Sequence, residues 1–153
     1  MPVPRLQIVY HSQSGTCERI AKRMTQRVRN ETIIPVSSLR SWDAGADELL
    51  GCSGLVLVCA ENFGWLAGGM QNLLNRAFYP LLAANLILPV AAVISAGNDG
   101  RGAVQQLERV VSGLGWKWVS EPITVRGDLD DAMLERAAEP AVLLAAGLEL
   151  GMF

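Results

Sequence analysis

Leu6-Gln7-Ile8-Val9-Tyr10-His11-Ser12-Gln13-Ser14-Gly15-Thr16-Cys17-Glu18 runs from an apolar, strand-like segment straight into the start of a helical pattern. The helix reads from about Thr16 to Arg29, because Ile20, Met24 and Val28 fall four apart on one side. A strand that turns directly into a helix leaves the first main-chain N–H groups of that helix without partners, and their dipoles favour an anion. Ser12, Ser14 and Thr16 add hydroxyl groups, and Gly15 permits a close backbone approach. No Lys follows the glycine, so this is not the Walker pattern. On these residues alone two readings stand: a phosphate cradle, or a helix cap made by Ser14 or Thr16.

The same alternation of strand and helix continues along the chain. Thr32 to Val36 reads as a second strand, Ala46 to Leu50 as the end of a short helix, and Leu55-Val56-Leu57-Val58-Cys59 as a central strand buried on both faces. Met70, Leu73, Leu74, Ala77 and Phe78 mark a helix that Pro80 ends or bends. Pro89 to Ser95 is a fourth strand, and Val104, Leu107, Val111 and Leu114 mark the next helix. Trp118 to Val125 reads as a fifth strand, at an edge because Pro122 cannot donate to a ladder. A last helix runs from about Asp128, its expected cap, towards Leu148. The expected fold is α/β: one domain, residues 1–153, with a doubly wound five-stranded parallel sheet of order 2-1-3-4-5. Ligands of such sheets bind beyond the carboxyl ends of the strands, which selects the loops after Tyr10, Cys59 and Ser95.

The second of these loops carries Glu61-Asn62-Phe63-Gly64-Trp65 and the third Ser95-Ala96-Gly97-Asn98-Asp99-Gly100-Arg101-Gly102. The glycines of the third lack the dinucleotide spacing G-x-G-x-x-G, since Gln105 stands three places after Gly102. Taken alone it reads as a flexible loop, and Trp65 as an exposed or interface aromatic.

The first loop resembles the flavodoxin phosphate loop, [ST]-x-[ST]-G-x-T, with Ser12, Ser14 and Gly15 matching and Cys17 in place of the final Thr. The stretch from Glu61 to Asn75 is similar to the flavin-ring segment of flavodoxin-like NAD(P)H:quinone oxidoreductases, with Glu61 for a common Thr and Asn75 for an Asp. The resemblance implies FMN as cofactor, its phosphate held by Ser12, Gln13, Ser14, Gly15, Thr16 and Cys17. It also implies a ring flanked by Glu61, Asn62, Phe63, Gly64 and Trp65, and a pyrimidine edge and ribityl chain met by Ser95, Ala96, Gly97, Asn98, Gly100 and Gly102. Phe63 or Trp65 would lie over the ring face. At Cys17 a thiol would replace one phosphate hydroxyl, and its place at a helix N-terminus is expected to favour the thiolate.

Composition narrows the partners. Thirteen Lys and Arg against 15 Asp and Glu give a net charge of -2 with no basic stripe, so nucleic acid is not expected. Three cysteines without a C-x-x-C pair and a single His argue against a disulfide framework or a zinc site. Neither end reads as a leader or a membrane span, and a cytoplasmic protein is expected. Three functions fit: an NAD(P)H-dependent flavin or quinone reductase passing electrons to a small-molecule acceptor, a one-electron carrier serving a redox partner protein, and a non-redox binding module. The mild charge and the second loop favour the reductase, with NADH or NADPH as donor; a homo-oligomer is left open.

Overall fold

The computed structural model describes residues 2–153; Met1 lies outside them. In chain order the elements are β1 Leu6–Tyr10, α1 Thr16–Glu31, β2 Val36–Arg40, a 3-10 turn Ser41–Asp43, α2 Ala46–Leu50 and β3 Gly54–Asn62. They continue with β4 Trp65–Leu66, α3 Gly68–Ala84, β5 Pro89–Ala96, α4 Arg101–Leu114, β6 Lys117–Trp118, β7 Ile123–Arg126 and α5 Asp131–Glu149. The parallel sheet has the order β2-β1-β3-β5-β6, with β7 also on β5, while β4 folds back antiparallel on β3. With β6 and β7 taken as halves of one broken strand, this is the expected 2-1-3-4-5 order.

Alternation along β3 explains its unbroken apolar run. Leu55, Leu57 and Cys59 pack with α2, α3 and α4 through Leu49, Met70, Leu73 and Leu107, whereas Val56 and Val58 pack with α1 and α5 through Ile20, Met24, Ala141 and Leu144. Both faces of the strand are therefore dry, as a parallel sheet between helical layers requires.

Four boundaries differ from the sequence reading, each for a local reason. The second strand starts at Val36 instead of Thr32, because the N–H and Oγ1 of Thr32 both bond to the Val28 carbonyl, at 3.0 and 2.9 Å, and finish α1. The β-branched Ile33, which suggested a strand, is 84% exposed. Pro80 does not end α3, which runs on to Ala84 and buries Leu81 beyond it. The fifth strand is interrupted over 119–122, where Pro122 has no N–H to donate. The cap of α5 is Asp130, whose Oδ1 accepts from Met133 N–H at 2.8 Å, and not Asp128.

No helix among the described residues is long and apolar enough to cross a membrane, and none of their His, Cys, Asp and Glu side chains gather as a metal-binding group.

Candidate functional site

At the carboxyl end of β1 the helix begins without a side-chain cap. Gly15 is the N-cap of α1 with φ 99°, and no side chain caps the helix. Ser14 and Thr16 turn to each other, Oγ to Oγ1 at 3.4 Å, while Ser12 Oγ accepts from Gly15 N–H at 3.0 Å and keeps its own O–H. The first helical bond runs from Arg19 N–H to Gly15 O at 3.0 Å, so the N–H groups of Thr16, Cys17 and Glu18 have no helical acceptor. A Cβ on Gly15 would meet nothing within 4 Å. The loop is thus a set of unpaired donors facing open space, in the place where a helix dipole favours a dianion.

Cys17 departs from the sequence expectation. Its side chain is 2% exposed and lies in the α1/α5 core, and burial pushes the thiol up to about 12. Desolvation outweighs the helix dipole here, so the thiol is neutral and packed in the core, not on the loop.

The second loop is a β-hairpin. β3 continues past Cys59 to Asn62, and Glu61 and Asn62 pair with Leu66 and Trp65. Phe63 and Gly64 form the turn with φ 55° and 79°, both left-handed, as a two-residue hairpin of the strand-matching type demands. Phe63 is 89% and Trp65 51% exposed, with their ring centroids 6.1 Å apart. The hairpin is fixed from behind: Leu66 N–H donates to Gln106 Oε1 at 2.6 Å, and the Leu66 carbonyl accepts from Gln71 Nε2 at 2.5 Å. Asn62 Nδ2 donates to Gln13 Oε1 at 2.6 Å, tying the hairpin to the first loop.

The third loop leads into α4 through Gly100, whose φ is 72°. Asp99 Oδ1 accepts from Arg101 N–H at 3.0 Å, and Glu61 Oε2 accepts from Ala103 N–H at 3.1 Å. Gly102 lies directly under the hairpin turn; a Cβ there would stand 1.7 Å from the Gly64 carbonyl oxygen. Glu61 is therefore engaged at the α4 N-terminus. Ser95 and Ala96 belong to β5, paired with β7, and Gly97 and Asn98 are exposed.

All three loops meet at the carboxyl ends of β1, β3 and β5. Sequence reading missed the supports: Gln71 and Gln106 hold β4, and the signal was absent because their partner Leu66 lies on another element. It also passed over Trp42, 57% exposed and edge-on to His11 at 5.7 Å. The His11 ring packs on Gly69, where a Cβ would lie 2.2 Å from Nδ1, and burial lowers its pKa.

No protein-family model and no curated protein matches the sequence. Solved structures do match. A flavodoxin from the domain Archaea superposes with TM-score 0.79 at 18% identity, over 94% of this chain and 98% of its own. The rubredoxin oxygen:oxidoreductase of Desulfovibrio gigas gives TM-score 0.82 at 18% identity over 99% of this chain, which spans only 37% of that enzyme. A WrbA-like flavodoxin protein from Agrobacterium tumefaciens gives 0.77 at 14% identity, over 96% of this chain and 98% of its own. The chain has the flavodoxin-like fold.

Proposed function

We propose that the chain binds FMN across the three loops and acts as an NAD(P)H-dependent flavin or quinone reductase. The observation that carries the proposal is the open α1 N-terminus. Three N–H donors without helical acceptors surround a glycine whose Cβ position is empty, and a hairpin bearing two exposed aromatic rings stands beside them. These residues fit FMN: Ser12, Ser14, Thr16 and the 16–18 main chain for the phosphate, Phe63 or Trp65 for the ring, and 95–98 for its far edge. Bound FMN would supply the hydride and electron chemistry; the chain supplies position and electrostatics. Gln13 and Asn62, bonded to each other, hold the phosphate loop and the aromatic hairpin at a fixed spacing.

The reductase reading has support from the walls of the site. The third loop, from Ser95 to Gly102, contains no aromatic residue, so no aromatic side chain would cover the ring from that loop. The other face is left for a flat nicotinamide and then, in its turn, for a small acceptor such as a quinone or a free flavin. The reading of a one-electron carrier for a protein partner draws on a different observation: the chain is nearly coextensive with an archaeal flavodoxin.

The test is spectroscopic. Protein purified with FMN should be yellow and release FMN on denaturation, and anaerobic NADH or NADPH should bleach it within seconds. A colourless protein that takes up no FMN would end the proposal. Bleaching by a reduced protein partner but by neither nucleotide would replace the reductase with the carrier.

A further inference from the structure

Between α3 and α4, beside the β4 arm of the hairpin, lies a hollow of about 230 Å³. Its floor is apolar, made by the buried Leu66 and Leu74 with the half-buried Val110. Its walls are polar, with Gln71 and Asn75 from α3 and Gln106 and Arg109 from α4. The volume equals that of about eight waters of liquid, which suits one ring or a short branched chain and is too small for a nucleotide. Arg109 is exposed and makes no ion pair among the described residues, although Glu108 precedes it on the helix. Asn75, on the facing helix, is an uncharged amide, so none of the lining side chains neutralises the guanidinium. Gln71 Nε2 and Gln106 Oε1 are bonded to the Leu66 carbonyl and N–H at 2.5 and 2.6 Å, which leaves Gln106 Nε2 free to donate elsewhere. Gln106 and Arg109 stand three apart on α4 and share a face.

We infer that this hollow is a second ligand site, separate from the three loops, for a small monocarboxylic acid with an apolar body. The carboxylate lies on the Arg109 guanidinium and the Gln106 amide, a planar fork beside a neutral donor. The apolar body covers Leu66, Leu74 and Val110 and takes their surface out of water. A cationic ligand would be repelled by Arg109, and an inorganic anion would leave the apolar floor wet. The site is also joined to the hairpin, since Gln71 and Gln106 line it and hold both polar groups of the Leu66 main chain. An occupant therefore bears directly on the element that carries Phe63 and Trp65. Nothing in this site depends on FMN.

The experiment titrates the isotope-labelled full chain with benzoate at constant ionic strength, with benzamide as the uncharged counterpart, and follows backbone and side-chain amides by NMR. Benzoate should give a saturable, millimolar response at the Leu66 N–H and at the side-chain amides of Gln71 and Gln106. Benzamide should bind at least about tenfold more weakly, and Arg109→Gln should weaken benzoate by as much, since each loses a charge-assisted pair. Asn75→Asp sets an acid facing Arg109 and should weaken benzoate similarly without removing the cation. Both substitutions are at exposed positions, and the amide spectrum of each variant checks its fold. Equal affinity for benzoate and benzamide, or an undiminished benzoate response in Arg109→Gln, would overturn the inference. So would the absence of a saturable response at Leu66, Gln71 and Gln106 in wild type, or one confined to the amides of Thr16 to Glu18. A benzoate response at Leu66 in protein that takes up no FMN would leave this site standing and end the cofactor proposal.

Discussion

Each of two strand-to-helix turns in this chain puts a left-handed glycine at the N-cap, Gly15 before α1 at φ 99° and Gly100 before α4 at φ 72°. The space beside Gly15 is open, whereas a Cβ on Gly100 would stand 2.8 Å from the Thr124 methyl. The N–H groups at α1 have no side-chain cap, while Asp99 and Glu61 take two of those at α4, from Arg101 and Ala103. The backbone device is shared, and the side chains around it decide its use. One turn is left with an unsatisfied set of donors that costs stability unless a ligand or water meets it; the other has two of its donors tied to carboxylates.

The largest effect that would break this contrast is expected at Gly15. Gly15→Asp places a β-carbon at φ 99° and a carboxylate among the phosphate donors. Strain of about 1–2 kcal/mol falls on folding stability, and the carboxylate's charge and bulk should weaken FMN at least about a hundredfold by fluorescence titration. Gly115→Asp is the control, since its φ is 73° and its Cβ also meets nothing within 4 Å, but it sits at the far end of α4. It should cost less than about threefold. Equal losses at the two positions would mean that the α1 turn has no special part in holding phosphate.

Gly102→Ala tests the hairpin seat from the α4 side. Its new methyl would lie 1.7 Å from the Gly64 carbonyl oxygen, so the turn carrying Phe63 must lift. Overpacking of this kind should cost about 1–3 kcal/mol of stability in denaturant unfolding, and Trp65 fluorescence should shift as the hairpin moves. Unchanged stability and an unchanged Trp65 spectrum would show that the hairpin is not seated on α4.

The sequence disclosed the sheet order, the helices and the placing of all three loops, because each rests on short-range periodicity and on the directness of the strand-to-helix turns. It also marked Gly15 correctly as the pivot of a turn. What it could not disclose was where side chains come to rest after packing. Nothing local to Glu61 says that its carboxylate will meet Ala103 N–H, and Thr32-Ile33-Ile34 has strand composition but ends a helix. Helix ends such as those at Thr32 and Asp130 were blurred because several neighbouring residues could serve as caps, and tertiary contact selects one.

The smallest expected effect concerns Cys17, and it sharpens the contrast by asking whether side chains or main chain line the open turn. A thiol at a helix N-terminus with solvent access would be acidic and shielded by bound phosphate. This one is 2% exposed, and burial pushes it up to about 12 from 9.0. At pH 8 only about one molecule in ten thousand then carries the thiolate, so alkylation of the native protein should be slow and should change less than about twofold on adding FMN. The linkage has a definite sign: the folded thiol holds its proton more tightly than the unfolded one, so the stability it contributes is complete below pH 9 and is lost as pH rises towards 12. Cys17→Thr puts a hydroxyl into the α1/α5 core and leaves the main-chain N–H in place. It should destabilise by about 1–3 kcal/mol, leave FMN affinity within about twofold, and flatten the alkaline decline. Strong protection of Cys17 by FMN, or a tenfold gain in affinity on Cys17→Thr, would show that the side chain reaches the phosphate and that the cradle is not made by main chain alone.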